Sequence, residues 1–293
     1  MAKEPDSLQS QAYEMIRERI IFADYTPGMK LGIKELCEEL ELGRTPVRES
    51  FLRLAQEDLV ESVPQSGTYV SKINMRYAEA ARLSRECLER EIIAECCARI
   101  DATGLERIDE LICAQQEALD TDDKRAFFES DNAMHAAFYD IAGRPVIWQW
   151  LNLTNTHFER FRWLSAITKG VDPEEVVGQH RQMRRALATK DVNYASYLVS
   201  DHLQKSRYDY DKIVAEHPDY FADARPFGRC PARIPVSRAV CVRPAKLSRR
   251  KSPAHNEVPP QLAYAYRYNL TVRGPWVQTR AAKVVYQFRY SQR

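Results

Sequence analysis

The chain has 293 residues, 44% of them apolar and 29% charged, with a formal net charge of +2. That is enough apolar material for one large or two ordinary cores, whereas no run of about eighteen apolar residues exists to cross a membrane as a helix, and MAKEPDSLQS lacks the apolar segment of a secretory signal. The seven cysteines form no C-x-x-C, and Cys87, Cys96, Cys97 and Cys113 fall within helical patterns; the expectation is reduced, buried thiols in a cytoplasmic protein.

The small net charge averages two unlike segments. From Ala222 onward there are 15 Lys and Arg against two acids, Asp223 and Glu257, leaving 28 basic and 39 acidic residues in 1–221. The change of sign marks a boundary near Phe221.

Residues 8–73 predict three short helices and a hairpin. Tyr13, Ile16 and Ile20 share one face of a first helix, which ADYTPGMKL breaks. Leu36 and Leu40 mark a short second helix closed by Gly43, and Val47, Phe51 and Leu54 give a third helix its apolar face, with Thr45 as N-cap and Pro46 at the first helical position. VESVPQSGTYVSKI then reads as two short strands around PQSG. This is the element order of a winged helix-turn-helix.

Residues 76–216 show helical periodicity throughout, in the segments 77–100, 104–119, 123–141, 145–168, 173–189 and 191–215. Short breaks between them predict an all-α six-helix bundle. No strand pattern, glycine-rich phosphate loop or nucleophile elbow interrupts them. Residues 222–293 are rich in Pro and Arg without period and read as an irregular, disordered basic tail. They suit either a basic arm adding nonspecific phosphate affinity or the product of an altered reading frame.

In GRTPVRES two arginines four apart stand at the start of the third helix, where the helix dipole favours acids. A recognition helix presents this end to the major groove, where the arginine fork spans O6 and N7 of guanine. Arg44 and Arg48 are therefore candidate base readers, Thr45 a phosphate contact, and Gln65-Ser66-Gly67 a wing tip able to reach the minor groove. Against this, residues 1–74 hold nine basic and thirteen acidic residues, so the arginines also fit a merely solvated surface.

Four further side chains have ligand chemistry. Asp131 and His135 are i and i+4 on one helix face, and His180 and His202 flank the break at Lys190-Asp191 so that antiparallel helices bring them to one level. Three imidazoles and a carboxylate suit zinc, nickel or a similar divalent ion with coordination positions left open. Histidines satisfied within the core are the competing reading.

The stretch PGMKLGIKELCEELELGRTPVRESFLRLAQEDLVESVPQSGTYVSKI resembles the DNA-binding domain of the GntR superfamily of bacterial transcription regulators. The resemblance implies base reading by Arg44 and Arg48 and phosphate contacts by Thr45 and Gly67, and more weakly by Lys34 and Ser66. Two positions depart from the pattern: Gly43 stands where Ser or Thr is frequent, and Asp58 where glycine is usual. Residues R-E-C-L-E at 85–89, D-N-A-M-H at 131–135 and the histidines at 180 and 202 are similar to the FCD effector domain of the FadR subgroup, in its shorter VanR-like form. That likeness implies a divalent metal held by Asp131, His135, His180 and His202, a small organic-acid effector completing its coordination, and Arg85 holding the effector's carboxylate.

The combined expectation is a homodimeric, cytoplasmic, ligand-responsive repressor that places two recognition helices on a palindromic operator in double-stranded DNA. A constitutive DNA-binding protein with structural histidines is one alternative. A metal-dependent hydrolase is another, but no general base accompanies the ligands, and no catalytic residue is assigned.

Overall fold

The computed structural model describes residues 7–222; the tail reading at 223–293, with Cys230 and Cys241, lies outside the described residues. Helix α1 (Leu8–Ile21) starts from a Ser7 cap and buries Tyr13, Ile16 and Ile20. The last two residues of the ADYTPGMKL break form a short strand β1 (Lys30–Leu31), which precedes α2 (Ile33–Leu40), α3 (Arg44–Gln56), β2 (Val60–Val63) and β3 (Gly67–Val70). The sheet has the order β1-β3-β2 and is antiparallel throughout. The expected hairpin is thus present with a third strand on its edge. Strand β1 has too few residues to show an alternating pattern, and its pairing partner lies far along the chain.

The helical part follows as α4 (Met75–Arg99), α5 (Ala102–Asp120), α6 (Lys124–Ile141), α7 (Pro145–Thr154), α8 (Thr156–Ile167), α9 (Pro173–Ala188), α10 (Val192–Tyr208) and α11 (Tyr210–Glu216). Asp101, Asp123, Asp172 and Asp191 cap α5, α6, α9 and α10, each side chain accepting a first-turn N–H. The Asp101 cap carries α5 through Gly104, which is not a helix break; its N–H is the one that bonds Asp101, at 2.8 Å. The segment 145–168 is divided at Asn155 and 191–215 at Asp209, so two of the six expected helices are each a pair. Neither site carries Pro or Gly to signal the break.

Two cap assignments also change. Helix α2 ends at Glu41, which takes the left-handed conformation at φ 55°, while Gly43 is extended and is the N-cap of α3. Thr45 is therefore inside the first turn of α3 rather than its cap. Pro46 permits this, since any of the first few helical positions tolerates a missing N–H. Asp58, where a glycine was expected, adopts φ 55°. A short polar side chain tolerates this region, which explains both the usual glycine and its replacement.

One core fills the helical bundle around Ile93, Cys96, Ile108, Phe138 and Met183. A second joins α1, α2, α3 and the sheet but also takes in Phe128 of α6 and Trp163 of α8, so the winged unit and the bundle share apolar packing. A third surrounds Ile73, which exchanges backbone hydrogen bonds with Tyr220 and Ala222 at 2.8 and 3.0 Å and sits against the buried Phe221. Cys96 and Cys97 are buried as expected, whereas Cys87 and Cys113 are exposed: they lie on the outer faces of α4 and α5. Among the described residues no helix is long and apolar enough to cross a membrane.

Candidate DNA interface and metal centre

Helix α3 begins with Arg44, and Gly43 offers it no side-chain cap, so the first-turn N–H groups of Arg44 and Thr45 remain available to an anion. Arg44, Thr45 and Arg48 are exposed, and among the described residues neither arginine forms an ion pair. Val47, Ser50, Phe51 and Leu54 are buried on the opposite side and fix the helix against α1 and α2. Lys34 on α2 is exposed, with Glu38 Oε1 at 3.8 Å as a loose neighbour. At the wing tip Gln65 has φ 61° and Gly67 φ 134°. The positive φ of Gly67 is what calls for glycine there; a Cβ would stand 2.9 Å from Cε of Lys30, the end of a flexible side chain that can move aside. Ser66 is exposed and bonds the Tyr69 hydroxyl. Lys30, exposed on β1 beside the wing tip, is a cation that the strand pattern gave no reason to single out.

The bundle brings Asp131, His135, His180 and His202 together: all four are buried, and one ligand atom from each lies within 4.8 Å of every other. His135 Nε2 is 3.1 Å from His202 Nε2, and His180 Nε2 is 3.6 Å from Asp131 Oδ1. Each imidazole is held from behind through its other nitrogen. Nδ1 of His135 lies 2.8 Å from Glu89 Oε2, that of His180 2.7 Å from Gln115 Oε1, and that of His202 3.0 Å from Gln179 Oε1. With Nδ1–H donating to these oxygens, all three Nε2 lone pairs point inward, the arrangement in which histidine binds a metal. His180 Nε2 has no hydrogen-bond partner despite full burial. These observations fit a divalent cation.

Electrostatics favour the ligating protonation states. Burial, reinforced by Arg85 at His135 and by the neighbouring imidazoles at His202, holds both well below the ordinary histidine range. His180 is also lowered, by burial and then Arg162. Burial alone would raise Asp131, but the Arg162 guanidinium and the three imidazoles hold its carboxyl far below the usual carboxylate range. Arg162 of α8 pairs directly with Asp131 and also donates to Asn132 at 2.7 Å. Beside Asp131, Arg162 and His202 lies a cavity of about 80 Å³, otherwise walled largely by Phe127, Phe158 and Val176. Arg85 is not on that wall. It is fully buried, donates through Nε to Glu89 at 2.6 Å, and lies 5.3 Å from the Trp148 ring centroid.

Residues 8–70 match the profile of the bacterial regulatory proteins of the gntR family, and residues 81–205 match the FCD domain. An HTH-type transcriptional regulator from an unstable DNA locus of Streptomyces ambofaciens is 30% identical over 232 residues, covering 78% of this chain and 94% of its own. The chain belongs to the GntR family of transcription regulators. A second relative, the HTH-type transcriptional repressor RspR of Escherichia coli K12, is 26% identical over 216 residues, 74% of this chain and 94% of that one. The fold is that of E. coli McbR/YncC, with a TM-score of 0.62 at 19% identity over 72% of this chain and 98% of the other. A GntR regulator structure from Rhodococcus sp. RHA1 gives 0.59 at 18% identity, over 71% and 97%. The protein is thus a DNA-binding GntR regulator with an FCD effector domain, and not an enzyme.

Within that GntR framework, sequence reasoning assigned no part in the cluster to Arg162, Gln115, Gln179 or Glu89. The i, i+4 spacing of Arg85 and Glu89 was the one visible signal. The two glutamines have none, because an amide on a helix carries no charge pattern.

Proposed function

We propose that this regulator is a repressor whose affinity for a palindromic operator is set by a small carboxylate bound at a divalent metal in the bundle. The observation that carries the reading is the convergence of three Nε2 atoms on Asp131, with every Nδ1 engaged behind them. Asp131, His135, His180 and His202 would hold zinc or nickel, and the ion, when bound, supplies open positions to a carboxylate oxygen. Arg85 is the proposed second contact for that carboxylate: both Nη groups are buried without a hydrogen-bond partner among the described residues. The repressor sense is taken from the relative RspR, a transcriptional repressor.

On the DNA, Arg44 and Arg48 are the proposed base readers, with Lys34, Thr45, Ser66 and Gly67 on phosphates and Lys30 reinforcing the wing. A homodimer supplies the second recognition helix. Support for it comes from α7, where Val146, Trp150 and Leu153 at i, i+4 and i+7 are 48, 65 and 53% exposed, a stripe that a second copy would cover. Such a protein would work in the bacterial cytoplasm.

The test is metal analysis of protein purified without chelator, followed by titration of the stripped protein with zinc and with nickel. DNA selected from a random pool then gives the operator, and its affinity is measured with and without metal and candidate acids. A protein that binds neither ion would end the metal reading; a metal-loaded protein whose DNA affinity no acid alters would leave a constitutive regulator.

A further inference from the structure

Helix α8 carries two stripes of side chains with different duties. Thr156, Glu159, Arg160 and Trp163 face the winged unit. Thr156 Oγ1 donates to the Glu57 carbonyl at 2.8 Å, Glu159 accepts from Arg17 of α1 at 2.9 Å, and Trp163 meets the Phe22 ring edge-on at 4.8 Å. Phe158, Arg162, Ser165 and Ala166 instead line the cavity beside Asp131 and His202. Residues two apart leave a helix about 200° from each other, so Arg160 and Arg162 project to opposite sides. One is bound to the wing and the other to the ligand cluster.

Arg160 is an unusual choice for a packing residue. It is 2% exposed and, among the described residues, has no carboxylate partner. Its Nη2 donates to the Ser71 carbonyl at 2.7 Å and its Nη1 to the Ser71 hydroxyl at 3.1 Å; that hydroxyl in turn bonds the Asp58 carbonyl. Ser71 directly follows β3, so this one guanidinium ties down the root of the wing. Burial without a counter-charge pushes Arg160 down to about 9. A charge buried against neutral acceptors is costly and gains hydration whenever the contact opens. The docked and released arrangements of the wing root are therefore closer in free energy than an apolar contact would leave them.

We propose that α8 is the lever through which occupation of the Asp131–histidine cluster reaches the wing, with Arg162 responding to the charge of the cluster and Arg160 holding the end of β3. The inference rests on the metal reading of that cluster. A divalent cation sharing the Asp131 carboxylate weakens the hold of that carboxylate on Arg162 and repels its guanidinium. Arg162 must then shift or take up another anion, and the acid effector is the anion at hand. Any shift of α8 that relaxes Arg162 is felt at Arg160 on the far side of the same helix. The cluster can bias the wing only through such a difference between the two arrangements.

Hydrogen exchange of the full chain with and without zinc tests this. The reporting amides are Val70, bonded to the Met29 carbonyl at 2.8 Å, and Ser71, bonded to that of Leu59 at 3.0 Å. Zinc is expected to change their exchange several-fold in the wild type. In Arg160→Met both amides exchange faster and no longer respond, while zinc affinity stays within about a factor of two. Arg162→Gln reads the same path from the other end, and serves if Arg160→Met does not fold: zinc still binds and the response at Val70 and Ser71 is lost. Zinc binding that leaves wild-type exchange at these amides unchanged overturns the lever alone, as does a response surviving in either variant. Absence of zinc binding overturns both the lever and the metal reading.

Discussion

Gln115 Oε1 lies 2.7 Å from Nδ1 of His180, although the two residues belong to α5 and α9 and are 65 positions apart. Both are fully buried, and Gln115 Nε2 is steadied by the Ser130 carbonyl at 3.4 Å and the Met134 sulfur at 3.6 Å. The amide oxygen therefore faces the imidazole and fixes its tautomer, leaving Nε2 free to ligate. Gln115→Leu removes that constraint without touching a ligand. Zinc affinity is expected to fall about 10–100-fold, measured by competition with a chromogenic chelator. An affinity equal to wild type would show that Gln115 only fills space.

Arg48 stands one turn inside α3 on its exposed face, while the buried face carries Val47, Phe51 and Leu54. Arg48→Ala therefore leaves the fold alone. It is expected to cost about 1–3 kcal/mol in binding to a selected operator, with relaxed preference at one base position. Zinc affinity stays as it was. A gel shift indistinguishable from wild type would remove Arg48 from the base-reading pair.

These two residues also mark how far the sequence could be read. Arg48 was visible because an arginine pair at a helix start opposes the dipole, and that misfit needs no tertiary knowledge. The cluster of Asp131, His135, His180 and His202 was visible because i, i+4 spacing and a helical hairpin set their relative heights. Gln115 was not, since its role depends on the angle at which α5 meets α9. Arg160 and Arg162 are two arginines in FERFRWL with nothing local to separate them. Only packing shows that one reaches Ser71 and the other Asp131. The break at Asn155 was equally silent, and it is what turns Thr156 onto the Glu57 carbonyl.

His157 provides a pH signature for the junction between the two units. Its Nδ1 accepts from the Asn74 N–H at 3.3 Å, its ring stacks on Tyr77, and burial, then Arg160, lowers it to about 4. An unfolded histidine titrates near about 6.5. Between these values the unfolded chain binds the extra proton, so the contribution of His157 to stability is complete above about 6.5 and is lost as pH falls toward 4. Thermal unfolding of wild type and His157→Gln across this window should give curves that converge at low pH. A constant difference from pH 7 to pH 4 would refute the assignment.

The exposed stripe on α7 offers a test of the proposed homodimer. Trp150 is 65% exposed and stands between Val146 and Leu153 on one helix face. Nearby, Tyr77 and Ala80 of α4 and Leu153 of α7 form one side of a cavity of about 280 Å³ whose other side carries Gln56, Glu57, Asp58 and Thr154. Apolar surface left in water gains roughly 25 cal/mol per Å² when covered, and a repeated patch of this kind is self-complementary across a two-fold axis. Trp150→Glu places a charge at the middle of the stripe and is expected to convert a dimer to a monomer at micromolar concentration. Sedimentation equilibrium reads this directly as a halving of the mass. The variant should keep its zinc affinity, since Trp150 is exposed and outside the buried Asp131–histidine cluster, but lose affinity for a palindromic operator more than for a single half-site. A wild-type protein that sediments as a monomer, or a dimer unaffected by Trp150→Glu, would mean that the two recognition helices are paired through some other surface.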